Sequence, residues 1–353
     1  MNWNLLSAKS LEGEALTRPE SRSVLEAPAS ETVKLVAAAY EVRKHYFGNR
    51  VRLNFLFNAK SGLCPEDCHY CSQSKVSQAP IEKYPLKSVE ETLRMAQRAV
   101  ASHAGRFCMV ASGRGPADHE LEQFTANVRA VREKYPQLEI CACLGLLSHG
   151  QAEKLKASGV FAVNHNLNTS ERHYTKICTT HTYADREDTV EKVRQAGLSV
   201  CSGALVGMGQ TPEDILDLGY ALRAMKVESL PVNFLMPIPG TPLAGRYELT
   251  PTRCLNILCL YRFLNPRASL RISGGREIHL RSLQSLGLYV ANSIFIGDYL
   301  TTKGQSAEAD LEMIRDLGFE IEGDPSPVLP SSRPPVVEFV NGRRAERAQW
   351  AQP

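Results

Sequence analysis

The chain has 353 residues, 43% of them hydrophobic and 22% charged, with a net charge of +3. That is an ordinary globular composition, too weakly basic to argue for nucleic acid or a membrane surface as a partner, and no run of about 18 apolar residues marks a membrane span. Ten cysteines without an export signal predict a reducing, cytoplasmic setting in which thiols serve metals or chemistry.

Residues 1–30 read as polar and irregular, and a helix follows over 31–47, so 1–35 form an N-terminal extension leading into it. From residue 51 short apolar runs rich in β-branched and aromatic residues predict strands at 51–57, 106–111, 138–144, 160–165, 198–206, 229–235, 269–273 and 293–296. Helical periodicity fills the gaps at 88–103, 119–134, 149–158, 184–196, 212–226, 251–264, 276–286 and 306–317. Regular alternation of this kind argues for an α/β fold with a parallel sheet. Its eight repeats over about 270 residues fit a (β/α)8 TIM-type barrel over 36–323; a doubly wound open sheet is the alternative. The proline-rich end, 324–353, reads as a flexible tail.

The most specific signal is Cys64-Pro65-Glu66-Asp67-Cys68-His69-Tyr70-Cys71, a C-x3-C-x2-C loop with no fourth cysteine nearby. Clusters of the 4Fe–4S kind normally take four thiolates, so three leave one iron open to an outside ligand, as catalytic metal sites require. Zinc sites read differently, as C-x2-C with a second pair or histidines further on.

A second set of cysteines lies inside predicted strands. Cys108, Cys141, Cys143 and Cys201 would converge if the barrel closes, and alternation puts Cys141 and Cys143 on one face. Each alone is more simply a small buried hydrophobe. Arg271 also points inward, opposite Leu270 and Ile272, where a guanidinium needs negative charge from a cluster or from a buried carboxylate. Asn164, Asn166 and Asn168 follow one strand, where barrel active sites form, and Asn233 lies within another. Turn formation is the competing reading for the three asparagines.

These residues, together with Ser61 to Cys68, Cys201-Ser202-Gly203, Gly240 to Leu243, Arg271 to Glu277 and Ala291 to Phe295, resemble the biotin synthase family of radical S-adenosylmethionine enzymes, from about residue 40 to residue 320. The resemblance implies conversion of dethiobiotin to biotin by insertion of sulfur between two unactivated carbons. It implies that Cys64, Cys68 and Cys71 hold a 4Fe–4S cluster whose open iron binds S-adenosylmethionine, the source of a 5′-deoxyadenosyl radical. It further implies that Cys108, Cys141, Cys201 and Arg271 hold a 2Fe–2S cluster that gives up sulfur, which selects Cys141 over Cys143. Tyr70, Asn166, Asn168 and Arg186 fall where the family contacts S-adenosylmethionine, and Asn164 and Asn233 where it contacts dethiobiotin. A homodimer and a flavodoxin- or ferredoxin-type electron donor also follow from the likeness. Two departures stand out: Asn168 where some members have aspartate, and Gln210 where glutamate is usual.

Overall fold

A computed structural model describes residues 1–323; the tail expected at 324–353 lies outside the described residues. Among them, nine strands form the barrel: β1 (Arg50–Lys60), β2 (Arg106–Ala111), β3 (Glu139–Cys143), β4 (Ala162–Asn164), β5 (Ser199–Cys201), β6 (Ala204–Val206), β7 (Ser229–Phe234), β8 (Ser269–Ile272) and β9 (Ser293–Ile296). Neighbours pair in parallel around the ring, and β9 pairs with β1 to close it. Because β5 and β6 both pair with β7, they are two halves of one stave. The barrel therefore has the eight staves expected, with helices outside them, and the open sheet is excluded. A two-residue strand, β10 (Glu320–Ile321), adds to the start of β1.

Helix starts follow local chemistry. Ser88, Thr182 and Thr211 each accept the backbone N–H three residues on, while Glu91, Asp185 and Asp214 reach back to complete capping boxes, which satisfies donors that a helix start leaves orphaned. The helix Pro251–Leu264 is buried nearly throughout. Within it, Cys254 and Cys259 are fully buried among aliphatic side chains, so both behave as hydrophobes.

Three expectations are corrected. Residues 1–30 are not irregular, since they contain helices Trp3–Leu11 and Arg18–Leu25. Their inward faces carry Ser7, Ser10 and Ser21, all buried, so apolar periodicity misses them. Ser10 Oγ donates to Phe263 O at 2.8 Å, and Ser21 Oγ lies 2.8 Å from the Tyr220 hydroxyl. The strand expected at 198–206 breaks at Ser202–Gly203. There the Asn168 backbone takes over the ladder, donating to Gly203 O at 3.0 Å and accepting from Leu205 N–H at 2.8 Å. Glycine is required at 203, because a Cβ would lie 1.9 Å from Pro231 O. The helix expected at 276–286 is likewise broken, into Arg276–His279, a 3-10 turn at Arg281–Leu283 and Gln284–Val290. Arg281 at the break has a φ of 50°, outside the helical range.

Candidate active site

Register sets the interior in layers. Cys108 is paired with Cys141, and Asn164 with Cys201. Three separate staves thus bring Cys108, Cys141 and Cys201 into one buried cluster with Ala162 and Phe295. Arg271 reaches the same layer from β8. Its Nη1 lies 4.0 Å from Cys201 Sγ, Nη2 donates to Ser229 Oγ at 3.0 Å and Nε to Ser293 Oγ at 3.3 Å. Its guanidinium also stands 4.8 Å over the Phe295 ring. Among the described residues, no carboxylate lies within ion-pair distance of Arg271, so the ordinary buried-ion-pair reading fails.

One layer below, Arg106 is paired with Glu139 and binds its carboxylate at 2.8 Å. Arg52 joins the same carboxylate at 2.9 Å and Glu322 at 2.6 Å. Sequence reasoning passed over Arg106, although it precedes Cys108 by two residues, and strand alternation alone predicts a shared inward face. Burial works against its charge, but the sulfurs of the trio and Glu139 outweigh it and raise its pKa. Thiol protons are shared unevenly. Hydrogen bonding from Cys141, helped by Arg271 and Arg106, holds Cys108 below the usual thiol range, whereas a neighbouring thiol and burial push Cys141 and Cys201 up. The layer thus gathers three thiols and two guanidiniums, a donor set of the kind that a metal centre takes as thiolates.

The loop Cys64–Cys71 caps the other end. It is clamped by the segment around Cys178–His181, whose part the sequence reading missed. The Asp67 carboxylate accepts from Thr179 N–H at 2.9 Å and from Thr180 N–H at 3.3 Å. Glu66 meets His181 Nδ1 at 2.5 Å and Arg114 Nη1 at 3.1 Å. These donors outweigh burial and hold Asp67 well below the ordinary carboxylate range. The cue was a run of threonine hydroxyls and a histidine, Cys178-Thr179-Thr180-His181, which looks like any polar turn. Burial pushes the Cys71 thiol up to about 11 and raises Cys64 as well. Cys68 is raised first by hydrogen bonding with Cys178, then by burial.

Between the two sets runs a cavity of about 370 Å³. Every candidate site residue lines it except Cys201, which is sealed in its floor. Asn164 Nδ2 lies 3.2 Å from Cys201 Sγ and donates to Asn166 Oδ1 at 3.0 Å. Asn168, at φ 69°, donates to the Tyr70 hydroxyl at 2.7 Å. Asn233 accepts Gly274 N–H at 3.1 Å and donates to Ala204 O at 3.2 Å. Arg186 is buried, with Nη1 donating to Asn166 O at 2.7 Å, Nη2 to His181 Nε2 at 2.9 Å and Nε to the Tyr174 hydroxyl. It too lacks a carboxylate partner among the described residues. Cys143 lines the wall alongside these groups, so it shares the inward face with Cys141 as alternation predicts. Apolar walls come from Leu56, Val110, Leu205, Pro231 and Phe295.

Gln210 stands apart from the cavity. Its Oε1 accepts Gly207 and Met208 N–H at 3.1 and 2.8 Å, and its Nε2 donates to Leu205 O at 2.6 Å. It staples a turn, and a glutamate there could not make the last bond.

A profile of the Radical SAM superfamily matches residues 60–219, and one of the Biotin and Thiamin Synthesis associated domain matches 231–320. A biotin synthase of Bacillus cytotoxicus is 52% identical over 322 residues, 91% of this chain and 97% of its own length. One from Geobacillus kaustophilus is 52% identical over 326 residues, 92% and 98% of the two lengths. Among solved structures, methylornithine synthase (PylB) superposes with a TM-score of 0.78 at 22% identity, over 90% of this chain and 97% of its own. The hydrogenase maturase HydG of Carboxydothermus hydrogenoformans gives 0.75 at 19% identity, over 90% and 79%. Those two share the barrel, while sequence identity decides among families that use it. The chain belongs to the biotin synthase family of radical S-adenosylmethionine enzymes.

Proposed function

We propose that this protein converts dethiobiotin to biotin, exchanging two C–H bonds for two C–S bonds, with a 4Fe–4S cluster at Cys64, Cys68 and Cys71 and a 2Fe–2S cluster at Cys108, Cys141, Cys201 and Arg271. The observation that carries the reading is the buried layer of three cysteines and an acid-free guanidinium, each from a different stave, beneath the cavity that the C-x3-C-x2-C loop caps. The donor sets fit their groups. Three thiols suit a cluster with one open iron, and two inward guanidiniums suit a sulfide-rich anion. With S-adenosylmethionine bound, the two clusters supply a 5′-deoxyadenosyl radical and the inserted sulfur.

The chain's own residues do the holding. Arg186, charged and without an acid, meets the carboxylate of S-adenosylmethionine, while Tyr70, Asn166 and Asn168 offer it hydroxyl and amide contacts. Asn164 and Asn233 present amides to the ureido ring of dethiobiotin, and an amide matches its donors and acceptors without adding charge. The cavity's apolar walls exclude water and hold the reactants close, which a reactive radical requires. A flavodoxin- or ferredoxin-type protein as electron donor, a homodimeric state and a cytoplasmic location complete the proposal.

The test is anaerobic reconstitution with dethiobiotin and S-adenosylmethionine, counting iron and assaying 5′-deoxyadenosine and biotin in one preparation. Cys201→Ala is expected to keep cleavage of S-adenosylmethionine and lose biotin, whereas Cys68→Ala loses both. A normal biotin yield from Cys201→Ala would refute the sulfur-donor assignment.

A further inference from the structure

Cys178 takes no part in the chemistry proposed above, yet its sulfur lies 3.8 Å from that of Cys68, in contact with it. Two hydrogen bonds between the segments, one backbone to backbone and one to a side chain, explain the meeting. His69 N–H donates to Ile177 O at 2.9 Å, and Thr179 N–H donates to the Asp67 carboxylate at 2.9 Å. Residues 67, 68 and 69 thus face 179, 178 and 177 in antiparallel order, which sets Cys68 opposite Cys178. To bond, the two sulfurs have to close from 3.8 Å to about 2.05 Å. Glu66, held by His181 and Arg114, locks the two segments together. Only one of the two thiols faces the cavity. Cys68 lines it, whereas Cys178 is buried behind and does not.

We propose that Cys178 is the resolving thiol for Cys68. When Cys68 carries no iron, the pair closes a reversible disulfide that competes with cluster loading. The proposal rests on the reading of Cys68 as a cluster ligand. The oxidant is a peroxide small enough to enter the cavity. Hydrogen peroxide transfers one oxygen to the Cys68 sulfur, giving a sulfenic acid, and leaves as water. The Cys178 sulfur then attacks that sulfur, the S–S bond forms, and the displaced hydroxide departs as a second water with the thiol proton. Two thiols have then given two electrons and two protons to one peroxide. Without a resolving partner, a second and a third peroxide carry the sulfenic acid on to sulfinic and sulfonic acids, which thiol reductants do not reverse. A ligand position would then be lost for good.

The experiment uses the full chain, stripped of iron anaerobically with a chelator and treated with one equivalent of hydrogen peroxide for peptide mapping and with at least three equivalents for the recovery test. Remaining thiols are alkylated and the peptides mapped by mass spectrometry. The expected result is a dominant Cys68–Cys178 cross-linked peptide and the loss of two reactive thiols per chain. Dithiothreitol returns both thiols and restores iron uptake on reconstitution. Cys178→Ala and Cys178→Ser are expected to take up iron normally before oxidation and to fail to regain that uptake after peroxide and dithiothreitol. A main disulfide joining Cys68 to Cys71 or Cys64 overturns the proposal, as does full recovery of iron uptake by both variants. Failure of both variants to load iron before oxidation overturns it too, since Cys178 would then serve the loaded state. Peptide masses and iron content are the readouts, so a wild-type enzyme that makes no biotin would sink the proposed function and leave this pairing intact.

Discussion

Arg106 and Arg271 both reach the cysteine layer, but on different terms. Arg106 has a carboxylate of its own in Glu139, whereas Arg271 is tied down only by two serine hydroxyls and an aromatic face. Replacing Arg106 by leucine leaves Glu139 with Arg52 and near solvent, so the barrel is expected to fold. The thiols would then face a weaker positive field, and the proposed 2Fe–2S centre should carry less iron and sulfide while 5′-deoxyadenosine still forms. Elemental analysis beside a cleavage assay reads both. Asn168 allows a finer test. Its amide donates to the Tyr70 hydroxyl, and aspartate can keep that contact if the tyrosine donates instead. Asn168→Asp is therefore expected to retain cleavage, whereas Asn168→Leu loses a hydrogen bond of about 1 kcal/mol, roughly fivefold in the KM for S-adenosylmethionine.

Elements are joined by buried side chains as much as by loops. Asp214 closes the capping box of helix Pro212–Ala224 and also accepts from Ser170 Oγ and Arg172 Nε, both at 2.7 Å. Burial opposes its charge, but these donors win and hold it well below the ordinary carboxylate range. A carboxylate depressed in the folded state stabilises above its unfolded pKa and loses that contribution as pH falls through the folded one. Wild-type stability should therefore decline below about pH 4, and Asp214→Asn should flatten that acid limb and cost about 1–2 kcal/mol at neutral pH. Denaturant titrations across pH measure both. Most such elements were legible in the sequence, since capping residues and apolar runs bracket the staves and helices. The broken fifth stave was not. Its split depends on Asn168 entering the ladder from another loop, a contact that local pattern does not encode.

At the scale of the whole molecule, the N-terminal helices close the barrel's outer layer. Arg18 binds Glu213 at 3.1 Å and Asp217 at 2.5 Å, and Asn256 donates to Ala27 O at 2.8 Å. Deleting residues 1–27 would uncover helix Pro251–Leu264, and the thermal midpoint is expected to fall by at least about 4 °C. Their existence was hidden because Ser7, Ser10 and Ser21 share the core-facing positions with Trp3, Leu6, Val24 and Leu25, which breaks the apolar periodicity. The site itself was unevenly legible for a related reason. Cysteines and asparagines advertise chemistry by type, so the trio, the loop and the strand-end amides could be singled out, and the fold gathers them around one cavity. The clamp at Thr179–His181 is built from residues that occur in any loop, and only the fold gives them a task.

The cavity runs from the loop of Cys64, Cys68 and Cys71 down to the layer of Cys108, Cys141 and Arg271, with Cys201 sealed in its floor. A co-reactant seated at the loop end lies over whatever occupies the cysteine layer. Whatever sits against Cys201 has to arrive before its co-reactant and depart after it. Under the proposed function, steady-state inhibition patterns should then report a compulsory sequence, with deoxyadenosine released ahead of biotin.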